Sequence, residues 1–438
     1  MLPFTLTKLL VRSGVARYLP AAQRLAGPDA AGHLHYFSDK VLAAPVTLLR
    51  DPATFPDGPG ADGIHLNRAA PRFASPLSAG RPIVDRLGNP PPWGLPALRR
   101  VIAERAGMSP HPRDEVFVTH GATAAFAATL DAFVNPGDRV VLFAPCSPLF
   151  RVGAASRRAR VRWVPTAVDD RGGLTCDPRA LARAMRGAKL VVLADPGNPT
   201  GAGFAEATAD QLAWAANKFD VLVYADETFA RFRPDGATSE VVNRPNLQHR
   251  TLVAGSVSAG FGLASARVGW VRGPGPLVGA VALTASLNAP FVPAVCQQLA
   301  ARELEADDDL FGPVREEVNA RRRFAADRLS TMGLPAATPA AGLFFWVDVR
   351  RTGLDGRAFA ERLMRAERVL VGPGAAFGPG GEGFVRVSVA EEDGRLREGL
   401  TRMARFAATL TGEPAAGPRE IERPAAAPDE RPAVFSRV

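Results

Sequence analysis

Five short segments hold residues whose types and spacing suit them to chemistry. Ser256 and Ser258 stand two apart, with Arg267 following in the same stretch. Two hydroxyls and a guanidinium are the donors that chelate a phosphate dianion. Gly121, Ala122 and Thr123 follow the strand-like run Val116-Phe117-Val118-Thr119 and open a helical stretch. Their backbone N–H groups would face any anion held at the helix N-terminus, although Gly-Ala-Thr at a helix start is also an ordinary capping solution. Asp226 closes another apolar run. A carboxylate there is costly unless a cation meets it, or else it caps the following helix. Asp195-Pro196-Gly197-Asn198-Pro199-Thr200-Gly201 has the composition of a turn, and the bond before Pro199 is a candidate for cis geometry. Arg386, within Phe384-Val385-Arg386-Val387-Ser388, is on its own a solvated strand residue or half of an ion pair.

The elements that must position these residues are legible as alternating patterns. Val116–Thr119, Val140–Phe143, Leu190–Leu193, Val221–Tyr224 and Leu252–Ala254 are continuous apolar runs of the kind covered on both faces of a sheet. Segments such as Ala122–Val134 and Pro178–Arg186 are long enough for helical crossovers. The pattern predicts an α/β fold: a large domain with a mainly parallel, mixed sheet flanked by helices. In such sheets ligands collect beyond the carboxyl ends of the strands, where the five segments fall. From about Pro313 a helical stretch leads to two further strand-like runs, Leu343–Val349 and Phe384–Val389, which read as a smaller α+β domain.

Taken together and in order, the five segments resemble the fold-type-I pyridoxal-phosphate (PLP) aminotransferases of class I/II, over roughly Asp62 to Leu410. The resemblance implies an aspartate-aminotransferase-like fold and the cofactor pyridoxal 5'-phosphate. It implies that Gly121, Ala122, Thr123, Ser256, Ser258 and Arg267 hold the phosphate and that Asp226 pairs with the protonated ring nitrogen. It also implies that Asn198 meets the phenolic oxygen and lies by the substrate, and that Arg386 grips the substrate α-carboxylate. The catalytic Schiff-base lysine of the family belongs at position 259, where this chain has Ala259. Phe229 stands where a cofactor-contacting tyrosine is usual, Ser147 where an aromatic usually stacks on the ring, and Asn89 where a partner-subunit tyrosine often reaches the phosphate. Phe150 is a candidate for part of the missing stacking surface, and His120, beside a glycine turn, reads as structural rather than as a replacement base.

The expected activity is that of a PLP-dependent enzyme acting on an α-amino acid, most simply an aminotransferase exchanging amino acid and keto acid. The flanking motif is otherwise intact, so Ala259 reads as an engineered lysine-to-alanine change. The form as written is expected to be inactive or severely impaired and to accumulate an external aldimine. Oxidation, elimination or replacement chemistry, and a natural non-catalytic PLP-binding or partner-binding relative, are the alternatives. Lys189 and Lys218 precede strands and so lie far from the strands' carboxyl ends. Lys8 and Lys40 belong to the N-terminal region.

Composition narrows the class further. A chain of 438 residues, 47% hydrophobic, buries a large core. The net charge is +9, yet only four of the 53 basic residues are lysine and they form no stripe interleaved with aromatics, which argues against nucleic acid as a partner. Cys146, Cys176 and Cys296 show no metal spacing and suit a reducing, cytoplasmic setting. No apolar run is long enough to span a bilayer, so no membrane partner is expected. The expected organisation is an N-terminal arm with part of the small domain over 1–61, a large PLP-binding domain over 62–312, a small C-terminal domain over 313–410 and a mobile tail over 411–438. The resemblance also implies a homodimer.

Overall fold

The computed structural model describes residues 89–412 apart from 109–114, 235–236, 306–311, 335 and 392. The N-terminal arm, the C-terminal tail, Lys8 and Lys40 lie outside the described residues.

Nine strands form one sheet: β1 (Val116–Thr119), β2 (Arg139–Ala144), β3 (Arg160–Val168), β4 (Gly173–Cys176), β5 (Leu190–Ala194), β6 (Gly203–Phe204), β7 (Leu222–Asp226), β8 (Thr251–Ser256) and β9 (Gly269–Arg272). Their order is β1-β9-β8-β7-β5-β2-β3-β4-β6. The run from β8 through β7, β5 and β2 to β3 is parallel, whereas β9 is antiparallel to both β8 and β1. Among these, β2, β5, β7 and β8 are almost wholly buried, as expected where helices cover both faces. Leu142, Val192, Leu252 and Ala254 face a core shared with helices Gly121–Phe133 and Gly275–Asn288. Val141, Val191, Val223 and Val253 face the opposite core, with helices Pro178–Met185 and Glu206–Phe219. Neighbouring residues on a strand point to opposite faces, so one apolar run serves two cores.

The sequence did not reveal β3 or β9. In β3 exposed and half-buried residues alternate, Val164 alone being buried, and Arg160 and Arg162 interrupt the apolar run; β9 is four residues long and holds Trp270 and Arg272. A second, antiparallel sheet contains β10 (Phe344–Asp348), β11 (Gly372–Pro373) and β12 (Phe384–Ser388), in the order β10-β12-β11. Helices Gly312–Thr331, Gly356–Glu367 and Asp393–Thr411 pack with it around a separate core that includes Phe345, Val347, Phe359 and Val385. The fold is therefore α/β with a mixed sheet, accompanied by a smaller α+β unit. No helix among the described residues is long and apolar enough to cross a membrane.

Candidate active site

The sequence-singled residues converge where β1, β5, β7 and β8 end. At β8 the chain turns directly into a short helix whose cap is Ser256, which accepts a hydrogen bond from the backbone N–H of Ser258. Ser256 Oγ also donates to Ser258 Oγ at 2.9 Å, and Arg267 Nη1 lies 3.4 Å from the same oxygen. Arg267 holds a left-handed conformation (φ 52°) that turns it back toward this helix. A Cβ added to Gly121 would lie 2.5 Å from Arg267 Nη2, and one added to Gly269 would lie 2.5 Å from the Gly121 carbonyl carbon. The guanidinium therefore covers the N-terminus of helix Gly121–Phe133, where Gly121, Ala122 and Thr123 begin the first turn. A helix N-terminus, two hydroxyls and an arginine together make a cradle whose donors suit a phosphate.

Asp226 ends β7, deep among protein atoms although part of it keeps solvent access. Its Oδ1 accepts from Thr228 N at 2.9 Å and from the Thr228 hydroxyl. Burial pushes the carboxyl up, against the lowering effect of these bonds. No cation pairs with it among the described residues, so a positively charged ring nitrogen is a fitting partner. Tyr224, two residues earlier on the same face of β7, has a buried hydroxyl with no hydrogen-bond partner among the described residues. His120 Nε2 is buried and unpartnered in the same way. A deep-set carboxylate and an anion cradle are what a bound PLP would satisfy.

Asn198 is held by the turn that follows β5. Asp195 is buried there, accepting from Ser239 Oγ at 2.6 Å and lying 3.4 Å from Arg233 Nη2. Arg233 also meets Glu227 at 3.1 Å, and Glu227 meets Arg272 at 2.9 Å. This ion-pair chain ties the turn carrying Asn198 to the strand end carrying Asp226. The peptide bond between Asn198 and Pro199 is cis. Asn198 Oδ1 accepts from Arg386 Nη1 at 2.8 Å. Arg386, half-buried in β12, lies with its guanidinium 4.3 Å from the Phe344 ring centroid and 4.9 Å from that of Phe377. Apolar packing lowers its pKa through desolvation, and the aromatic faces offset part of that cost. An arginine flanked by rings and held by an amide oxygen is prepared for a planar carboxylate.

The apolar departures also cluster. Phe229 meets Phe344 edge-on at 5.2 Å, and Phe229 and Ala259 both pack on the core of the second sheet. Phe150 does not supply a stacking surface. It is fully buried on the inward side of its helix, 5.1 Å from Phe126, whose ring also packs against the open side of Gly153 on the same helix. Ser147 precedes the same helix at its cap position. Lys189 precedes β5 and Lys218 lies in the last turn of the helix before β7, both at the end of the sheet opposite the site. Burial pushes the Cys146 thiol up to about 12, and that of Cys176 to about 11, which leaves neither a ready nucleophile. Among the described residues, no cluster of His, Cys, Asp and Glu could hold a metal.

Sequence reasoning missed Thr228, Phe344, Phe377 and Tyr224. Thr228 was findable, since an Asp-x-Thr turn closing a strand is a local hydrogen-bonding pattern. Phe344 and Phe377 were not, because only the pairing of β10 and β11 with β12 brings them to Arg386.

Residues 82–403 match the family model for aminotransferase class I and II. The arginine–pyruvate transaminase AruH of Pseudomonas aeruginosa is 30% identical over 409 residues, covering 91% of this chain and all of that protein. The putative aminotransferase YugH of Bacillus subtilis is 29% identical over 72% of this chain and 82% of its own length. Among solved structures, the aromatic aminotransferase of Pyrococcus horikoshii aligns with a TM-score of 0.68 at 27% identity, over 74% of this chain and 88% of that one. The aspartate aminotransferase of Thermus thermophilus with maleate aligns with a TM-score of 0.66 at 27% identity, over 73% and 83%.

Proposed function

Because the chain belongs to the class I and II aminotransferase family, whose members use pyridoxal phosphate, we propose that it binds this cofactor and an α-amino acid in an aminotransferase-type site that lacks the amine of the Schiff-base lysine. The observation that carries this reading is that the Ser256–Ser258–Arg267 cradle, Asp226 and the turn bearing Asn198 with its partner Arg386 follow the same ends of the neighbouring strands β8, β7 and β5.

When bound, the cofactor supplies an aldehyde for the substrate amine and a ring that accepts electron density from the α-carbon. Gly121, Ala122 and Thr123 N–H groups, with Ser256, Ser258 and Arg267, hold its phosphate. Asp226 keeps a proton on the ring nitrogen, oriented by Thr228. Arg386 would bind the substrate carboxylate, its guanidinium fixed by Asn198, which would also be available to the cofactor's phenolic oxygen. The methyl group of Ala259 can neither hold nor move a proton, so the α-proton has no acceptor at that position. The form as written binds amino acid without turning it over. Restoring the lysine gives a transaminase whose amino-acid preference is open: relatives named for arginine, aspartate and aromatic amino acids match this chain at similar identity.

A second reading, in which alanine is the chain's own residue at 259, draws on Phe229. The aromatic without a hydroxyl and the alanine without an amine lie on one apolar cluster, so the two departures are consistent with a single loss of polar function.

Borohydride treatment of the cofactor-loaded protein, followed by intact-mass measurement, tests the principal reading. The polypeptide is expected to remain unmodified while Ala259→Lys gains one phosphopyridoxyl group. A stable adduct on a lysine of the unaltered chain overturns it.

A further inference from the structure

The turn bearing Asn198 is rooted at Asp195, the first residue after β5, and one guanidinium holds that root. Arg233 Nη2 donates to the Asp195 backbone carbonyl at 2.5 Å and to Glu227 Oε1 at 3.1 Å, and it lies 3.4 Å from Asp195 Oδ1. Arg233 leaves the 3-10 turn Ala230–Phe232, so a residue from the segment after β7 reaches across to the end of β5. The Arg233 side chain is 11% exposed and that of Asp195 2%, which puts these charge-assisted bonds largely out of water, where they hold geometry best. The second Asp195 oxygen accepts from Ser239 Oγ at 2.6 Å.

From this root the turn closes on itself. Gly197 N donates to Ala202 O and Gly201 N to Gly197 O, each at 2.8 Å, and Ala341 N donates to Gly201 O at 3.0 Å. A Cβ on Gly201 would lie 2.5 Å from Pro339 Cβ, so the turn has little room to slide. Asn198 sits inside this closed turn, and the position of its amide follows from that of Asp195. The two branches of Arg233 are not equivalent. Without Arg233, Glu227 keeps Arg272 Nη2 at 2.9 Å, whereas among the described residues the Asp195 carboxylate keeps Ser239 alone. Burial already pushes that carboxyl up, and Arg233 is the charge that opposes the push. Loss of Arg233 therefore acts on the Asn198 turn more than on the strand end bearing Asp226.

We propose that Arg233 is a positioning residue for carboxylate recognition: by fixing Asp195 it sets the Asn198 amide oxygen where it holds the Arg386 guanidinium ready for the substrate. The inference rests on the amino-acid site proposed above and adds to it a determinant that acts only through other residues.

Equilibrium binding of two reduced analogues to the full-length, cofactor-free protein tests this. Phosphopyridoxyl-L-alanine and phosphopyridoxyl-ethylamine differ only in the carboxylate, and the ratio of their affinities is the readout. The parent chain is expected to prefer the carboxylate analogue by at least ~10-fold, the worth of charge-assisted hydrogen bonds. Arg233→Met should cut that ratio at least ~5-fold while the ethylamine analogue binds within about 2-fold of its parent affinity, and Arg233→Lys should recover part of the ratio. In an Asn198→Ala background Arg233→Met should leave the ratio unchanged, since the amide through which it acts is gone. Asp195→Asn removes the charge with little change of shape and should lower the ratio in the same direction. It keeps the test decisive if circular dichroism shows that Arg233→Met does not fold. An undiminished ratio in Arg233→Met, or in Asp195→Asn where only that variant folds, overturns the proposal. An equal loss for both analogues, the result of a merely structural role, also overturns it, as does a further fall in the ratio when Arg233→Met is added to Asn198→Ala. A parent chain that binds neither analogue, or binds both alike, removes the amino-acid site itself and this proposal with it, so that failure is told apart from failure of Arg233 alone.

Discussion

Arg386 Nη1 donates to Asn198 Oδ1 at 2.8 Å, joining the turn after β5 to the central strand of the second sheet. The contact brings together residues 188 apart in sequence. Arg386→Ala is therefore expected to abolish the preference for an amino acid over its decarboxylated amine. The loss should reach about 10- to 100-fold, the worth of charge-assisted hydrogen bonds at ~1.5–3 kcal/mol. Equilibrium binding of each ligand to the cofactor-loaded protein measures it. An undiminished preference would assign Arg386 to packing against Phe344 and Phe377.

Asp226 gives a pH-dependent prediction. Its folded-state pKa is raised above the unfolded value by burial, so the folded state binds the proton more tightly than the unfolded chain does. Stability of the cofactor-free protein from this group is thus full below the unfolded carboxyl pKa and declines as pH rises through the folded one. Asp226→Asn should flatten that decline in chemical-denaturation curves of the cofactor-free protein. The same variant should weaken cofactor binding by about tenfold or more, because a charged hydrogen bond is lost. A steeper decline in the variant would contradict the assignment.

The apolar runs for β1, β2, β5, β7 and β8 were legible because each strand is covered on both faces, which leaves little polar interruption to obscure the period. Their bounds moved by a residue or two. The contacts among Ser256, Ser258 and Arg267 were legible too, since the three lie within one local segment. What eluded the sequence depends on tertiary placement. Phe377 reaches Arg386 from the 3-10 turn that follows β11, and Cys146 N donates to Phe377 O at 2.8 Å across a separation no motif encodes. Phe150 misled for the complementary reason: in one dimension an aromatic near Ser147 suits stacking, but its helix turns it inward.

Gly121 and Gly262 separate backbone strain from phosphate recognition. Both have positive φ, +79° and +66°, so alanine at either costs about 1–2 kcal/mol. Only at Gly121 would the new Cβ meet anything, Arg267 Nη2 at 2.5 Å, and that group is the end of a flexible side chain. Thermal denaturation should therefore show similar losses for Gly121→Ala and Gly262→Ala. Cofactor titration should show a clear loss for Gly121→Ala alone, since the displaced guanidinium leaves the cradle. Equal cofactor affinity in the two variants would remove Arg267 from the phosphate site.

Phe229 and Ala259 supply the last prediction. Both pack on the core of the second sheet, with Phe229 edge-on to Phe344. Phe229→Tyr introduces a hydroxyl into this patch, and an unsatisfied buried hydroxyl costs about 1–3 kcal/mol. Ala259→Lys introduces an amine there, whose desolvation lowers its pKa and favours the neutral, nucleophilic form. Residues in one packed cluster couple by roughly 0.5 kcal/mol or more, so the double variant should be more stable than the sum of the single losses implies. A double-mutant cycle from denaturant unfolding of the cofactor-free proteins measures the coupling. Borohydride reduction and intact mass then report whether the restored lysine links to the cofactor more completely with Tyr than with Phe at position 229. Additive losses together with equal linkage would show that the two positions act independently, and the reading of a single joint loss of function would fall.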